Sequence, residues 1–223
     1  MLNIIDKLLL LYELLLTVHV LLFNHTIPDW VDHLQLNFII TAWIFFSAWL
    51  VNRFNRQPFK FLHTFYPLFL LIWHYPQACE LQYSIIPFSL DPILIKWDLA
   101  IFQLPLYSIL PQKLNIFGME IFHFFYFGYY LLLGVPAWIV YKKRHPKISE
   151  YLFVIILTTS FHQWLLIFLP ADGQIPLRAE IIPDGILMIP IMNLIYKLHP
   201  GGGAFPSLHV AGAMITCVYA NIF

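Results

Sequence analysis

Six long apolar stretches, separated by short polar or charged segments, limit what this chain can fold into. They run from about Ile4 to Phe23, Leu34 to Val51, Phe59 to Tyr75, Phe117 to Tyr141, Tyr151 to Leu169, and from Ala204 to the terminus. A helix needs roughly 20 apolar residues to cross the hydrocarbon core of a bilayer, and within that core it satisfies its own backbone hydrogen bonds. Residues are 60% hydrophobic and only 11% charged, with a mean hydropathy of +0.74 over 223 residues. Polar surface is too scarce to cover a water-soluble domain of this size. The expected fold is therefore all-α: a polytopic transmembrane helix bundle of about six spans, forming a single membrane domain over residues 1–223. The first stretch carries Glu13 and lacks a small-residue cleavage pattern, which favours a retained span over a removable signal peptide.

Charge placement gives an expected orientation. Twelve basic residues balance twelve acidic ones, so net charge points to no nucleic-acid partner. Lys7, then Arg53, Arg56 and Lys60, then Lys142, Lys143, Arg144 and Lys147 lie at alternate connections, as the excess of Lys and Arg in cytoplasmic loops requires. The intervening connections carry Asp29 and Asp32, then Glu80, Asp91 and Asp98, then Asp172, Glu180 and Asp184. The N-terminus is expected in the cytoplasm and the acidic loops on the opposite face.

One of those opposite loops, from about Pro76 to Gln112, is long and itself apolar. Asp91-Pro92 reads as a helix start, since Asp can cap free amides and Pro is tolerated at the first helical position. The following PILIKWDLAIF suits a helix lying in the interface, or one packed on the bundle.

The most chemically suggestive string is His199-Pro-Gly-Gly-Gly-Ala-Phe-Pro-Ser-Leu-His-Val-Ala-Gly, which enters the last apolar stretch. Gly201, Gly202 and Gly203 permit backbone conformations in which successive amides converge on an anion. A helix starting near Pro206 and Ser207 offers free amides and its positive dipole end to a phosphate. Ser207 adds a hydroxyl donor, and His209 can exchange a proton near neutral pH. Singly, these residues read as a hinge, an N-cap and a hydrogen-bonded histidine; together they read as an oxyanion cradle.

Gly203-Ala-Phe-Pro-Ser-Leu-His209 resembles the second signature of the type 2 phosphatidic acid phosphatase superfamily. The leading Gly-Ala-Phe is similar to the branch containing inositol phosphorylceramide synthase and related inositol phosphotransferases. Asp91-Pro-Ile-Leu-Ile-Lys-Trp-Asp98, His123-Phe-Phe-Tyr-Phe-Gly-Tyr-Tyr130 and Phe168-Leu-Pro-Ala-Asp-Gly173 extend the resemblance over roughly the last two-thirds of the chain. It implies a lipid phosphate phosphatase or phospholipid head-group phosphotransferase working through a phosphohistidine, without a cofactor. Its ligand would be a lipid phosphate or phospholipid head group taken from the surrounding membrane lipids, bound on the non-cytoplasmic face. His209 would be the general acid, with Ser207 and Gly203 as phosphate ligands. The basic phosphate ligand of the first signature is displaced here to Arg178, since Gly173 is followed by Gln-Ile-Pro-Leu-Arg.

The third signature, S-R-x5-H-x3-D, which supplies the nucleophile, has no counterpart after His209. A general acid cannot replace a nucleophile placed opposite the leaving group. The chain is therefore expected to be C-terminally truncated relative to the family and inactive by itself. The alternatives are a catalytically dead lipid-phosphate-binding relative, or a membrane transporter or scaffold. No metal site is expected. Glu120 and His123 share a helix face, but a di-iron site needs a second such pair from neighbouring helices.

Overall fold

The structure, a computed structural model, describes residues 2–173, 175–197 and 201–222. The described residues form ten helices and no strand: α1 (Ile4–Leu22), α2 (Trp30–Phe54), α3 (Gln57–Leu81), α4 (Asp91–Phe102), α5 (Leu106–Lys113), α6 (Ile116–Lys142), α7 (Ile148–Phe168), α8 (Arg178–Ile181), α9 (Met188–Lys197) and α10 (Leu208–Ala220). A helix stands at each of the six apolar stretches. Three of them, α2, α6 and α7, are long and apolar enough to cross a membrane. The other three differ for separate reasons. Helix α1 carries Asp6, Lys7 and Glu13, while α3 interrupts its apolar residues with His63, Pro67, His74, Pro76 and Gln77. Helix α10 has 13 residues, which rise ~20 Å against a hydrocarbon core of roughly 30 Å.

Local sequence explains several helix ends. Asn3 and Asp6 form a reciprocal capping box on α1, with both hydrogen bonds at 2.8 Å, so two otherwise unpaired amides are satisfied. Asn115 accepts from the Gly118 amide at 2.8 Å and caps α6. Asn55 ends α2 in the left-handed conformation that Asn tolerates.

Helices α1, α2, α3 and α7 pack around Leu9, Ile44, Tyr66, Tyr151 and Ile156, while α10 lies on α6 and α7, and α9 lies on α6. Outward faces are as apolar as the interior: Phe38, Phe117 and Phe125 are 73%, 70% and 71% exposed. Continuous apolar surface on this scale fits a chain surrounded by lipid rather than water. Side-chain contacts gather the basic connections at one end of the bundle. Asn3 and Asp6 meet His63, Phe61 and Phe65 meet Tyr141, and Tyr219 donates to Glu150 at 2.9 Å.

The opposite end departs from expectation. Helix α3 continues past Pro76 to Leu81, so the segment expected to be a loop from Pro76 begins in helix. The remainder holds two helices, α4 and α5, rather than one, and no residue of α4 is buried. Asp91 does begin α4 but does not cap it; the Asp91 amide donates to Ser89 Oγ at 3.1 Å. The Asp91 carboxylate instead accepts from the Asp172 and Gly173 amides at 3.1 and 3.0 Å, tying two segments far apart in sequence. Helices α8 and α9 had no sequence-based expectation, because both sit in a stretch broken by prolines and acids.

Candidate functional site

Ser207, His209, Gly203 and Arg178 all line one cavity of about 930 Å³. It opens between α3 and α6, with α7 and the start of α10 behind it, and its polar groups gather at the end occupied by α8 and the glycine turn. His199 and Pro200, which open the glycine-rich string, lie outside the described residues.

Arg178 sits at the start of α8, half-buried, and makes three contacts with uncharged groups. Its Nε donates to Asn193 Oδ1 at 3.1 Å, its Nη2 approaches His123 Nε2 at 2.9 Å, and its guanidinium lies 4.4 Å from the centre of the Tyr196 ring. Guanidinium only donates, so His123 Nε2 must accept, and His123 Nδ1 carries the proton it gives to the Met119 carbonyl at 2.7 Å. The imidazole is therefore neutral and held in one tautomer. Burial lowers the Arg178 pKa, partly opposed by Tyr196 and Tyr126, yet an arginine stays charged. Among the described residues no carboxylate pairs with it. Glu120, one turn before His123 on α6, is committed elsewhere: it accepts the amides of Ile186, Leu187 and Met188 at 2.6, 3.1 and 2.5 Å. This carboxylate fills the anion position at the start of α9.

His209, in the first turn of α10, packs between rings, 4.2 Å from Tyr126 and 4.1 Å from Tyr129, centre to centre. Its Nε2 is buried without a partner among the described residues. An unsatisfied buried polar atom costs ~1–3 kcal/mol, which a ligand atom arriving in the cavity can recover. Tyr126 also approaches Tyr196 at 6.3 Å, so a continuous row of rings joins His209 to Arg178. Ser207 is the N-cap of α10, accepting from the Val210 amide at 3.4 Å; its hydroxyl proton is left to donate.

Gly203 differs from its expected role. Gly201, Gly202 and Gly203 are all left-handed, at φ of 96°, 78° and 72°, but the Gly203 amide donates to Gln82 Oε1 at 3.3 Å, so it is no free anion ligand. Its lack of a side chain lets the turn press against α3: a Cβ there would lie 2.7 Å from Tyr75 Oη and 2.9 Å from Cys79 Sγ. Gln82 also donates to Asp172 at 3.1 Å, and Tyr83 donates to the same carboxylate at 2.5 Å. Burial, then this bond, pushes the Tyr83 phenol up to about 12, so it remains a donor through the ordinary pH range. The Ala204 amide donates to the Ala171 carbonyl at 3.0 Å. Tyr126, Tyr129 and Tyr130, Asp172, and the segment 203–209 thus meet in the lining of the cavity, while Asp91 reaches it only through the amides of Asp172 and Gly173.

Two site residues lay beyond local sequence reasoning. His162 lines the cavity, and its Nε2 lies 2.5 Å from the Pro206 carbonyl oxygen. A carbonyl only accepts, so His162 Nε2 carries the proton and fixes the turn entering α10, leaving Nδ1 buried without a partner. His123 is the other, through its hold on Arg178. No cluster of three His, Cys, Asp or Glu side chains able to hold a metal occurs among the described residues. Compared with protein families, curated proteins and solved structures, the chain matches none.

Proposed function

We propose that the polar end of the cavity binds the phosphate of a lipid phosphate or phospholipid head group, as the resemblance to the type 2 phosphatidic acid phosphatase superfamily implies. The observation that carries this reading is Arg178: a half-buried cation with no counter-ion among the described residues, held by a neutral imidazole and an amide, and lining the same cavity as His209 and Ser207. A buried charge left unpaired is costly, and an anion entering the cavity removes that cost. Ser207 and the α10 amides add donors at a helix N-terminus.

In the phosphoryl-transfer chemistry of that superfamily, His209 would protonate the leaving oxygen through Nε2. The nucleophile would be a second histidine. Among the described residues His162 is the other histidine lining the cavity, but one of its nitrogens is committed to Pro206 and no hydrogen bond orients the other for attack. The residues described here supply an acid and a cradle without an activated nucleophile, which favours binding without turnover by this chain. We place the site on the non-cytoplasmic face, because the basic connections gather at the end of the bundle away from the cavity's polar groups.

Titration of the purified chain in detergent with phosphatidic acid tests the reading. Arg178→Met should weaken binding about tenfold or more, the worth of one charge-assisted hydrogen-bonding group, and leave diacylglycerol binding unchanged. Equal affinities for the two lipids would refute it. Phosphate release should be undetectable; release abolished by His209→Ala would overturn the assignment of this chain as a binder alone.

A further inference from the structure

Below its polar end the cavity becomes an apolar wedge. Its walls are α3 and α6, lined along their length by Leu68, Ile72, Tyr130, Leu133, Gly134 and Trp138. Its floor is aromatic: the tilted rings of Phe61 and Phe65 lie 4.7 Å apart and both meet Tyr141, at 5.5 and 5.3 Å. Tyr126, Tyr130, Gly134 and Trp138 recur every fourth residue, so they form one stripe of α6 facing the wedge. From Tyr126 to Trp138 that stripe rises ~18 Å at 1.5 Å per residue. One leaflet contributes about 15 Å to the hydrocarbon core, so the shaft has the length of a membrane lipid's tail.

Gly134 is the informative residue in the stripe. Glycine is unfavourable inside a helix, and a close neighbour often explains its presence. Gly212 on α10 has one, since a Cβ there would meet the Tyr129 ring at 2.9 Å, and so does Gly118, with Leu114 at 3.2 Å. A Cβ on Gly134 would meet nothing within 4 Å. The absent side chain leaves open space midway down an apolar shaft.

We infer that the wedge between α3 and α6 holds an acyl chain of the lipid whose phosphate sits at Arg178, and that Gly134 keeps the shaft open and so sets the tail length accepted. This rests on the phosphate reading for the head group alone. Continuity of the polar mouth with the shaft makes the occupant amphiphilic, and α6, apolar enough to cross a membrane, gives the tail a route in from the hydrocarbon.

The test is a side-chain size series, Gly134→Ala, Gly134→Val and Gly134→Leu, in the full chain in detergent, titrated with dipalmitoyl and dihexanoyl phosphatidic acid. Dipalmitoyl affinity should fall stepwise, tenfold or more by Leu, while dihexanoyl affinity holds. Gly128→Leu, on α6 at a position with equal room but outside the cavity, should change neither. An unchanged dipalmitoyl affinity across the series, or parallel losses for both lipids in the Ala and Val variants, overturns the tail site. Should the Leu variant lose its helical circular dichroism, the Ala and Val members decide. Arg178→Met separates the two readings. If it leaves phosphatidic acid binding intact while the size series still discriminates tails, the tail site stands and the phosphate site falls; the reverse pattern removes the tail site alone.

Discussion

Buried polar and charged groups are treated in opposite ways in two regions of this molecule. In the bundle of α1, α2, α3 and α7, each buried acid has a partner: Asp6 accepts from Tyr66 Oη at 2.6 Å and from the Asn3 amide at 2.8 Å, and Glu13 meets His74 at 2.5 Å. At the cavity mouth, Arg178 rests on neutral groups and His209 Nε2 has no partner. Partnered acids fix one helix arrangement; a cation held only by neutral groups, lining the same cavity as an orphaned imidazole nitrogen, leaves a place for an anion that arrives. On the proposed reading, the first region is structural and the second binds; the bundle's own orphaned atoms, Glu13 Oε2 and His74 Nδ1 among them, have no unpaired cation beside them among the described residues.

The sharpest way to break that contrast is to disturb the pair. Glu13 and His74 are 2% and 0% exposed, so His74→Leu strands a carboxylate inside the bundle, and removing one partner of such a pair costs about 3–5 kcal/mol. Unfolding in denaturing detergent should detect that loss, whereas Glu13→Leu combined with His74→Leu should recover most of it. Binding of dihexanoyl phosphatidic acid by the folded double variant should match the wild type. A double variant that is stable yet fails to bind would show that the two regions are coupled.

The sequence reached the local parts of this architecture and missed those built across helices. Long apolar runs located α1, α2, α3, α6, α7 and α10, and a short string pointed to Ser207 and His209, because a cap and the first turn behind it are neighbours in the chain. His162 and His123 gain their roles from Pro206 and Arg178, on elements distant in sequence. Likewise, His74 and Tyr75 are adjacent, yet one is sealed against α1 and the other lines the cavity; no pattern within α3 distinguishes them. The hold on Gly203 lay out of reach for the same reason, since the group that takes its amide, Gln82, comes from the far end of α3. The third signature of the resembled superfamily gains no counterpart among the described residues.

His123 supplies an intermediate test on the binding side of the contrast. If its neutral Nε2 steers Arg178, His123→Leu should lower phosphatidic acid affinity about fivefold to tenfold, the worth of roughly one hydrogen bond. His123→Gln, which can still accept through its amide oxygen, should restore most of it. A purely structural role for His123 would give equal losses for phosphatidic acid and for diacylglycerol, and no rescue by Gln.

Ser207 carries the smallest effect and divides the two roles most finely, because one hydroxyl serves both. As N-cap it accepts from Val210 over a long 3.4 Å, and α10 is also held by Tyr219 on Glu150 and by the Tyr151–Thr216 contact at 3.3 Å. Ser207→Ala should therefore destabilise by no more than ~1 kcal/mol, the usual worth of such a cap, and reduce phosphatidic acid affinity a few-fold through the lost donor. Ser207→Asp separates the consequences. A carboxylate caps the helix at least as well, so stability should return to the wild-type value or above it. The same carboxylate places negative charge where the phosphate would sit, so affinity should fall further than in the Ala variant. Stability and affinity moving in opposite directions identify Ser207 as a ligand; if both follow the cap, the serine is only the start of a helix, and the anion is held by Arg178 and His209.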